Sequence, residues 1–450
     1  MTIQEKIRSC FIIDLRSLAI FRISIALCII SDLISRFRYI NFFQTDKGFL
    51  PEEKNLGLFN YLPHHWSDSY NFQAFLFFLA LVFSIMLLVG WYTRLATFFS
   101  WVLLISLHTV VGIANDGADD LLKAVLLWSI FLPLGSFWSI DSKKQNNKSV
   151  NYFSLAGSAL LLLFVFYYFT AGWAKLNPTW IENGIALEII FRQEFWLRSV
   201  GDFLSQYPYL LKLLSPLIVF FEILAPWVLL LPQKYYKIRI ATIVSFIIFQ
   251  ICLGVCLQLN LMPWISTAVI LVFLPSVIWD KFLLIKHGIK IEKRKLINVV
   301  MVLFAAYTFG GFFMKKAEIV LPLQSQARQL GFISTWYFYY FAPESDYDYH
   351  IIATLENGEK VIILESINTT TNWKEPAMNS LWQNYRFKYY LETITYSDSN
   401  YTNYFLDWLV KKWEAEHLDS KVVSAKFYCL TKDILSPNGS EKEIVIAEFD

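Results

Sequence analysis

The stretch of this chain that decides its fold covers residues 160–180, LLLLFVFYYFTAGWAKLNPTW. Its first half, residues 160–169, is an uninterrupted apolar run that predicts the end of a membrane-spanning helix. Lys175 follows this run, between tryptophans and before the helix-breaking Pro178. A lysine in this position either snorkels, with its ammonium at the membrane interface, or has a function that compensates for the cost of burial.

The composition of the whole chain is typical of a protein with several membrane spans. Hydrophobic residues make up 56% of the 450 positions and charged residues 17%, whereas a soluble domain carries about 25% charged residues. The net charge of +2 says little about partners, and the five cysteines show neither a disulfide framework nor a zinc pattern. We therefore expect a lipid bilayer around the chain, no metal site and no nucleic-acid partner.

About nine stretches are long and apolar enough to be membrane-spanning helices. They lie near residues 17–34, 74–92, 95–114, 121–138, 152–172, 210–231, 238–258, 260–279 and 296–314. The predicted fold class is an all-α polytopic membrane bundle of about nine transmembrane helices, with residues 1–318 as the membrane domain.

Basic and non-basic loops alternate along the predicted spans. Arg16, Arg94 and Lys237 are among the residues of the basic loops, whereas residues 115–120 are acidic and residues 258–263 form an uncharged turn. Basic loops remain in the cytoplasm. The alternation therefore predicts a multi-pass protein of the inner (cytoplasmic) membrane with a cytoplasmic N-terminus, and it places Lys175 and the C-terminal region outside the cytoplasm.

Residues 319–450 have the pattern of a small α+β domain outside the membrane. Residues 350–355 and 360–364 alternate around Asn357-Gly358, which is a hairpin turn signal. Apolar residues at helical spacing predict a helix over residues 404–416, and two further strands are predicted at 422–430 and 443–449. We expect this extracytoplasmic domain to fold as a fragment that begins near Gln324.

Three polar groups lie inside predicted spans, where they are costly. Arg22 in the first span either faces the bundle interior or snorkels. Glu222 in the sixth span must be paired or protonated, and Pro226 one turn later marks a distorted helix. His108 is a lone histidine in an apolar helix and fits a core group better than a ligand. The acidic residues of 115–120 fit capping of the next helix better than a cation site.

Six short segments, spread in order over residues 15–290, carry a resemblance to one protein family. They are IFRI at residues 20–23, TDKGFLP at 45–51, GWYTR at 90–94, NDGADDLL at 115–122, FWSID at 137–141, and AGWAKL at 171–176 with Trp180 and Gly184. Together they resemble the HTTM (horizontally transferred transmembrane) family, the bacterial and archaeal relatives of vitamin K-dependent γ-carboxylase.

The resemblance implies a function for the lysine of the AGWAKL segment. In the carboxylase this lysine is regarded as the base that deprotonates vitamin K hydroquinone, after which a carbon-bound proton is removed and carbon dioxide adds. The matching residue here is Lys175, and burial would favour the neutral amine that such a base needs. The resemblance thus implies a catalytic Lys175 and a quinone site that includes Arg22, Trp180 and Glu222.

The chain also departs from the carboxylase pattern. The lysine pair of the carboxylase is reduced to Ala174-Lys175, and Phe249-Gln250 stands where a histidine is usual. The large substrate-binding region is replaced by the small C-terminal domain, in which residues 336–343 and 384–387 resemble bacterial HTTM proteins instead.

Three functions fit these observations. The first is a quinone- or lipid-dependent enzyme, carboxylase-like or an oxidoreductase, at the outer membrane leaflet. The second is a non-enzymatic scaffold for export, assembly or immunity that binds a protein or peptide through the C-terminal domain. The third is a transporter, because Glu222 beside Pro226 resembles a solute path. A cavity joining Lys175, Arg22 and Glu222 would favour the enzyme, wide separation of these groups the scaffold, and an inverted repeat the transporter.

Overall fold

The computed structural model describes residues 2–50, 57–144, 149–282, 288–292, 295–316, 322–332, 345–365, 381–396, 399–434 and 441–449. The aromatic segment at residues 336–343 lies outside these ranges. The helices are α1 Ile3–Cys10, α2 Leu15–Phe37, α3 Ile40–Phe43, α4 Tyr70–Val89, α5 Thr93–Val110, α6 Gly117–Ser129, α7 Leu155–Ala174, α8 Ala186–Ile190, α9 Ser199–Ser205, α10 Pro208–Val228, α11 Tyr236–Cys256, α12 Met262–Ile270, α13 Ser276–Asp280, α14 Lys295–Lys316, α15 Gln324–Leu330, α16 Tyr385–Thr395 and α17 Ser399–Glu416. The strands are β1 Ile13–Asp14, β2 Asn151–Phe153, β3 Ile289–Ile291, β4 Ser345–Leu355, β5 Lys360–Glu365, β6 Val422–Asp433 and β7 Glu441–Phe449.

Six helices in the described part of the chain are long and apolar enough to cross a membrane. They are α2, α4, α5, α7, α10 and α11, the last with the turn that precedes it. The nine predicted spans are therefore not confirmed. Two shorter apolar helices cover residues 262–273 and 298–311, and α6 has 13 residues. Pro133 and Pro275 follow α6 and α12, and a proline cannot continue a helix because it lacks the N–H group.

A small sheet joins the segments that precede three helices at one end of the bundle. The predicted all-α bundle did not include this sheet. β1 pairs antiparallel with β2, which pairs parallel with β3, and these strands precede α2, α7 and α14. Because α7 runs from this sheet to Lys175, the sheet and Lys175 lie at opposite ends. We call the end with the sheet the basic end, because Arg16 and Lys290 lie there.

The C-terminal region contains the strands and the helix predicted from the sequence. Its sheet is antiparallel in the order β5-β4-β6-β7. Gly358 has a φ of +80° in the tight turn between β4 and β5, as the Asn-Gly signal predicts. The predicted helix at 404–416 is the second part of α17, and α16 was not predicted.

The hydrophobic core of the C-terminal domain includes residues from the membrane region. Phe49 is fully buried, with its ring centroid 4.8 Å from that of Tyr390, 5.5 Å from Phe405 and 5.3 Å from Trp408. Trp408 Nε1 also donates to the Lys47 carbonyl at 2.8 Å. Since a rigid ring from one part fills the core of the other, the two parts share one interior in the described residues. The separate folding of a fragment that begins near Gln324 stays a prediction.

Candidate functional site

Lys175 lies where α7 ends, at the end of the bundle opposite the small sheet. Its backbone N–H donates to the Gly172 carbonyl at 3.1 Å and closes the helix. The chain then turns at Pro178, and the Trp180 N–H donates to the Asn177 side-chain oxygen at 3.3 Å. This side-chain hydrogen bond folds the Asn-Pro turn back, so that the indole of Trp180 faces the lysine.

Lys175, Glu222 and Trp180 come together in the interior of the protein. Lys175 Nζ lies 2.7 Å from Glu222 Oε2, and the two residues are 2% and 5% exposed. Nζ also lies 5.4 Å from the centre of the Trp180 ring. The carboxylate compensates for the buried ammonium, and the ring face adds a cation–π attraction. Three of the four predicted site residues therefore form one cluster.

Gly172 allows the helices that carry this pair to approach each other. A Cβ atom at Gly172 would lie 2.9 Å from Glu222 Cβ and 2.8 Å from Ile223 Cγ1. A larger residue in α7 would push α10 away and separate the pair. Pro226, four residues after Glu222, has no N–H to donate to the Glu222 carbonyl, which loosens the helix beside the carboxylate.

A second polar contact lies two turns deeper along α7. Gln250 of α11 donates from Nε2 to the Tyr168 hydroxyl, and the residue is fully buried. Among the described residues, Gln250 Oε1 has no hydrogen-bond partner. The ring centroid of Phe246 lies 4.9 Å from that of Tyr168 and 4.6 Å from that of Phe221. A buried acceptor without a donor among aromatic rings can bind a hydroxyl group of a ligand.

Arg22, the fourth predicted site residue, lies at the basic end instead. Its guanidinium donates to the carbonyls of Leu134 at 3.0 Å, Phe137 at 3.2 Å and Trp138 at 2.6 Å. Arg22 lies two turns into α2 from the small sheet, whereas Lys175 follows α7, whose 20 residues extend about 30 Å from that sheet. The structure therefore does not bring Arg22 to Lys175, and the guanidinium binds backbone rather than a second site residue.

A closed network of charges, which the sequence analysis missed, joins the C-terminal domain to the bundle. Arg386 donates to Asp32 Oδ1 at 2.9 Å and to Asp119 Oδ2 at 2.5 Å. Arg36 donates to Asp32 Oδ2 at 2.8 Å and to Asp119 Oδ1 at 2.7 Å. His108 Nε2 lies 3.1 Å from the Arg36 guanidinium. Two guanidinium groups balance two carboxylates, and all four side chains are buried.

The same network contains three potential metal ligands. The ligand atoms of Asp32, His108 and Asp119 lie within 4.8 Å of one another. The carboxylate oxygens already accept hydrogen bonds from the two arginines, so a cation would have to displace a guanidinium. Although burial alone would raise it, Arg36 and Arg386 hold the pKa of Asp119 well below its usual range. The geometry thus fits an ion-pair network rather than a metal centre.

Asp116 links this network to the start of α6. Its side chain accepts from the Asp119 N–H at 3.1 Å and from Asn260 Nδ2 at 3.0 Å, so it caps the helix as the sequence predicted. Burial, followed by the charge of Asp119, raises the pKa of Asp116 to about 7.

Comparisons with known proteins give one match. A family model described as the HTTM domain matches residues 12–279, which is more than half of the chain. No significant match was found among the curated proteins or the solved structures. The matched range includes Lys175, Trp180 and Glu222 but ends before the C-terminal domain.

Proposed function

The chain belongs to the HTTM domain family, and on that premise we propose that it is a membrane enzyme in which Lys175 acts as a base toward a hydroquinone lipid. The observation that carries the proposal is the buried contact of Lys175 Nζ with Glu222 Oε2 at 2.7 Å, beside the Trp180 ring. An acid and a base held together in a low-dielectric site are suited to moving a proton.

The pair can hold its proton in two ways. As an ion pair it consists of an ammonium and a carboxylate, whereas transfer of the proton from Lys175 to Glu222 leaves an amine and a carboxylic acid. A surrounding of low polarity reduces the difference in free energy between the ion pair and the neutral pair, because it disfavours charged groups. In the neutral form the lone pair of Lys175 Nζ can accept a proton from a ligand hydroxyl.

The surroundings of the pair fit an aromatic lipid. The face of Trp180 offers a stacking surface for a flat ring. Deeper in the bundle, Gln250 Oε1, which has no hydrogen-bond partner among the described residues, offers an acceptor. A quinone, when bound, would supply the redox chemistry of a carboxylase-like or oxidoreductase reaction. The chain itself supplies the base, the ring face and exclusion of water.

A ligand for this site would arrive from the bilayer. Lys175 itself is 2% exposed, but its neighbours Trp173 and Leu176 are 45% and 46% exposed on the surface of the bundle. Large apolar side chains on that surface suit contact with lipid. Because Trp180 is also 2% exposed, entry to Lys175 then requires movement of the turn that carries Trp180.

The first experiment is native mass spectrometry of the detergent-purified protein, in which a co-purified quinone is expected. The second compares Lys175→Met with the double variant Lys175→Met/Glu222→Gln. Both should lose quinone-dependent turnover because the amine is absent. The single variant should also lose about 3–5 kcal/mol of stability, because it leaves Glu222 buried without a partner, whereas the double variant should recover most of this loss.

Lys237→Met is the matched control, since Lys237 is an exposed lysine in the first turn of α11, away from the pair. It should retain both turnover and stability. Quinone turnover that persists in a folded double variant would refute a catalytic Lys175 and leave the pair as a structural contact.

A scaffold remains the second candidate. The shared interior of the two parts favours it, and so does the separation of Arg22 from Lys175 and Glu222. Phe49 and Arg386 fix the C-terminal domain on the bundle, so a protein or peptide bound to that domain would be held at a fixed position on the membrane. Absence of a co-purified quinone together with full function of the double variant in the host would support this alternative.

A further inference from the structure

A cavity of about 330 Å³ lies at the basic end of the bundle, far from Lys175. It opens between the start of α5 and the turns that follow α6. The apolar part of its wall includes Leu95, Leu132 and Leu134, and its cationic part is formed by Arg94 and Lys290. A cavity with an apolar wall and a positively charged rim suits a ligand that is itself amphiphilic and anionic.

Two of the segments that carry the family resemblance build this cavity. Asp141 accepts from the N–H groups of Tyr92 at 3.0 Å and Thr93 at 2.9 Å, and also from the Thr93 hydroxyl. Gly135 makes this approach possible, because a Cβ atom there would lie 2.4 Å from Thr93 Oγ1. The carboxylate thus caps α5, and because it also lines the cavity beside Arg94 and Lys290, the charged groups of the lining sum to one net positive charge.

The two cations of the rim are available to a ligand. Within the described residues, neither Arg94 nor Lys290 forms an ion pair, and both residues are exposed. Arginine binds phosphate oxygens with two parallel hydrogen bonds, and lysine adds a point charge. Two exposed cations beside one cavity therefore favour a phosphate group.

The position of the cavity indicates that the phosphate belongs to a lipid. Trp91 and Tyr92 are 45% and 55% exposed beside it, as aromatic residues are at the boundary between membrane and water. Leu95 is 54% exposed one residue beyond Arg94 and continues the apolar surface of α5. We propose that this cavity binds the headgroup of an anionic phospholipid, with the acyl chains along α5. The proposal does not depend on the function of Lys175.

The test measures lipid binding to the full-length protein in detergent by native mass spectrometry. Phosphatidylglycerol and phosphatidylcholine with identical acyl chains are titrated separately. We expect preferential binding of phosphatidylglycerol by the unaltered chain. Arg94→Gln/Lys290→Gln should weaken it by about fivefold for each charge removed, about 25-fold in all. Lys234→Gln/Lys237→Gln, which removes two cations from the turn before α11 and its first turn, should leave it unchanged.

Three results would overturn the proposal. They are equal affinity for the two lipids, unchanged affinity for phosphatidylglycerol in the Arg94→Gln/Lys290→Gln variant, and complete competition by millimolar inorganic phosphate, which would assign the cavity to free phosphate. The melting temperature in phosphatidylcholine verifies folding. If replacement of Arg94 disturbs α5, Lys290→Gln alone decides the outcome, with an expected fivefold loss.

Discussion

Asp116 is a buried carboxylate whose protonation makes the stability of the protein depend on pH. Its pKa is raised from an ordinary value of 3.8 to about 7, first by burial and then by Asp119, while Arg386 and the hydrogen bond from Asn260 act in the opposite direction. Between about pH 4 and pH 7 the folded protein therefore holds a proton that the unfolded chain releases. The free energy of unfolding must decrease as the pH rises through this window and become constant above it.

Asp116→Asn should remove this dependence, because asparagine caps a helix as well as aspartate and does not titrate. We expect the fall in melting temperature between pH 5 and pH 8 to be smaller in this variant than in the unaltered protein. The comparison separates the contribution of Asp116 to the pH dependence from those of His64 and Glu392. Burial lowers the pKa of His64 to about 3 and raises the pKa of Glu392 to about 7. Asp419→Asn, at an exposed aspartate, is the control, and an equal flattening there would contradict the assignment.

At the scale of elements, two ion pairs join the C-terminal region to α6, and they differ in burial. Arg386 of α16 is 6% exposed and binds Asp119, whereas Arg328 of α15 has a side chain that is 70% exposed and lies 3.3 Å from Asp120. Exposed pairs contribute about 0–1 kcal/mol. Removal of one partner from a buried pair costs about 3–5 kcal/mol because a buried charge remains without compensation.

Arg386→Met should therefore destabilise the protein by about 3–5 kcal/mol, whereas Arg328→Met should change the stability by at most about 1 kcal/mol. Both can be measured by thermal or denaturant unfolding of the purified protein. Addition of Asp119→Asn to Arg386→Met should restore part of the loss, because one carboxylate then faces the remaining Arg36. Equal effects of the two single variants would mean that the buried network does not hold the domain in place.

Local signals in the sequence predicted some of these elements but not their contacts. An apolar run identifies a long helix without knowledge of its neighbours, and the cost of a charge inside a span pointed to Glu222. Its partner Lys175 is 47 residues away in the chain, and Arg386 is 354 residues from Asp32. No spacing rule covers such distances. The strands of the small sheet have only two or three residues, which is too few for a periodic pattern.

At the scale of the whole molecule, the helices connect a basic end to an end that carries the C-terminal domain. Lys237 and Lys290 belong to the first, whereas Asn357 lies in the domain. Basic loops are retained in the cytoplasm, so we expect the domain to be exterior.

Asn357→Cys and Lys237→Cys, on a background in which Cys10 and Cys252 are replaced by serine, test this orientation. A membrane-impermeant thiol reagent added to intact cells should label position 357 and should label position 237 only after lysis. Labelling of both positions in intact cells, or of position 237 alone, would reverse or exclude the proposed orientation.

The insertion of Phe49 into the C-terminal core has a consequence for biogenesis. Phe49 leaves the ribosome roughly 340 residues before Arg386 and the rings that enclose it. At about 5–20 residues per second, this interval is roughly 20–70 s. During this interval the ring of Phe49 lacks the aromatic rings that enclose it in the folded protein. Of the two arginines that bind Asp32 and Asp119, only Arg36 has then been synthesised. We therefore expect truncated chains that lack the C-terminal domain to be substrates for membrane quality-control proteases, because these contacts cannot form in them.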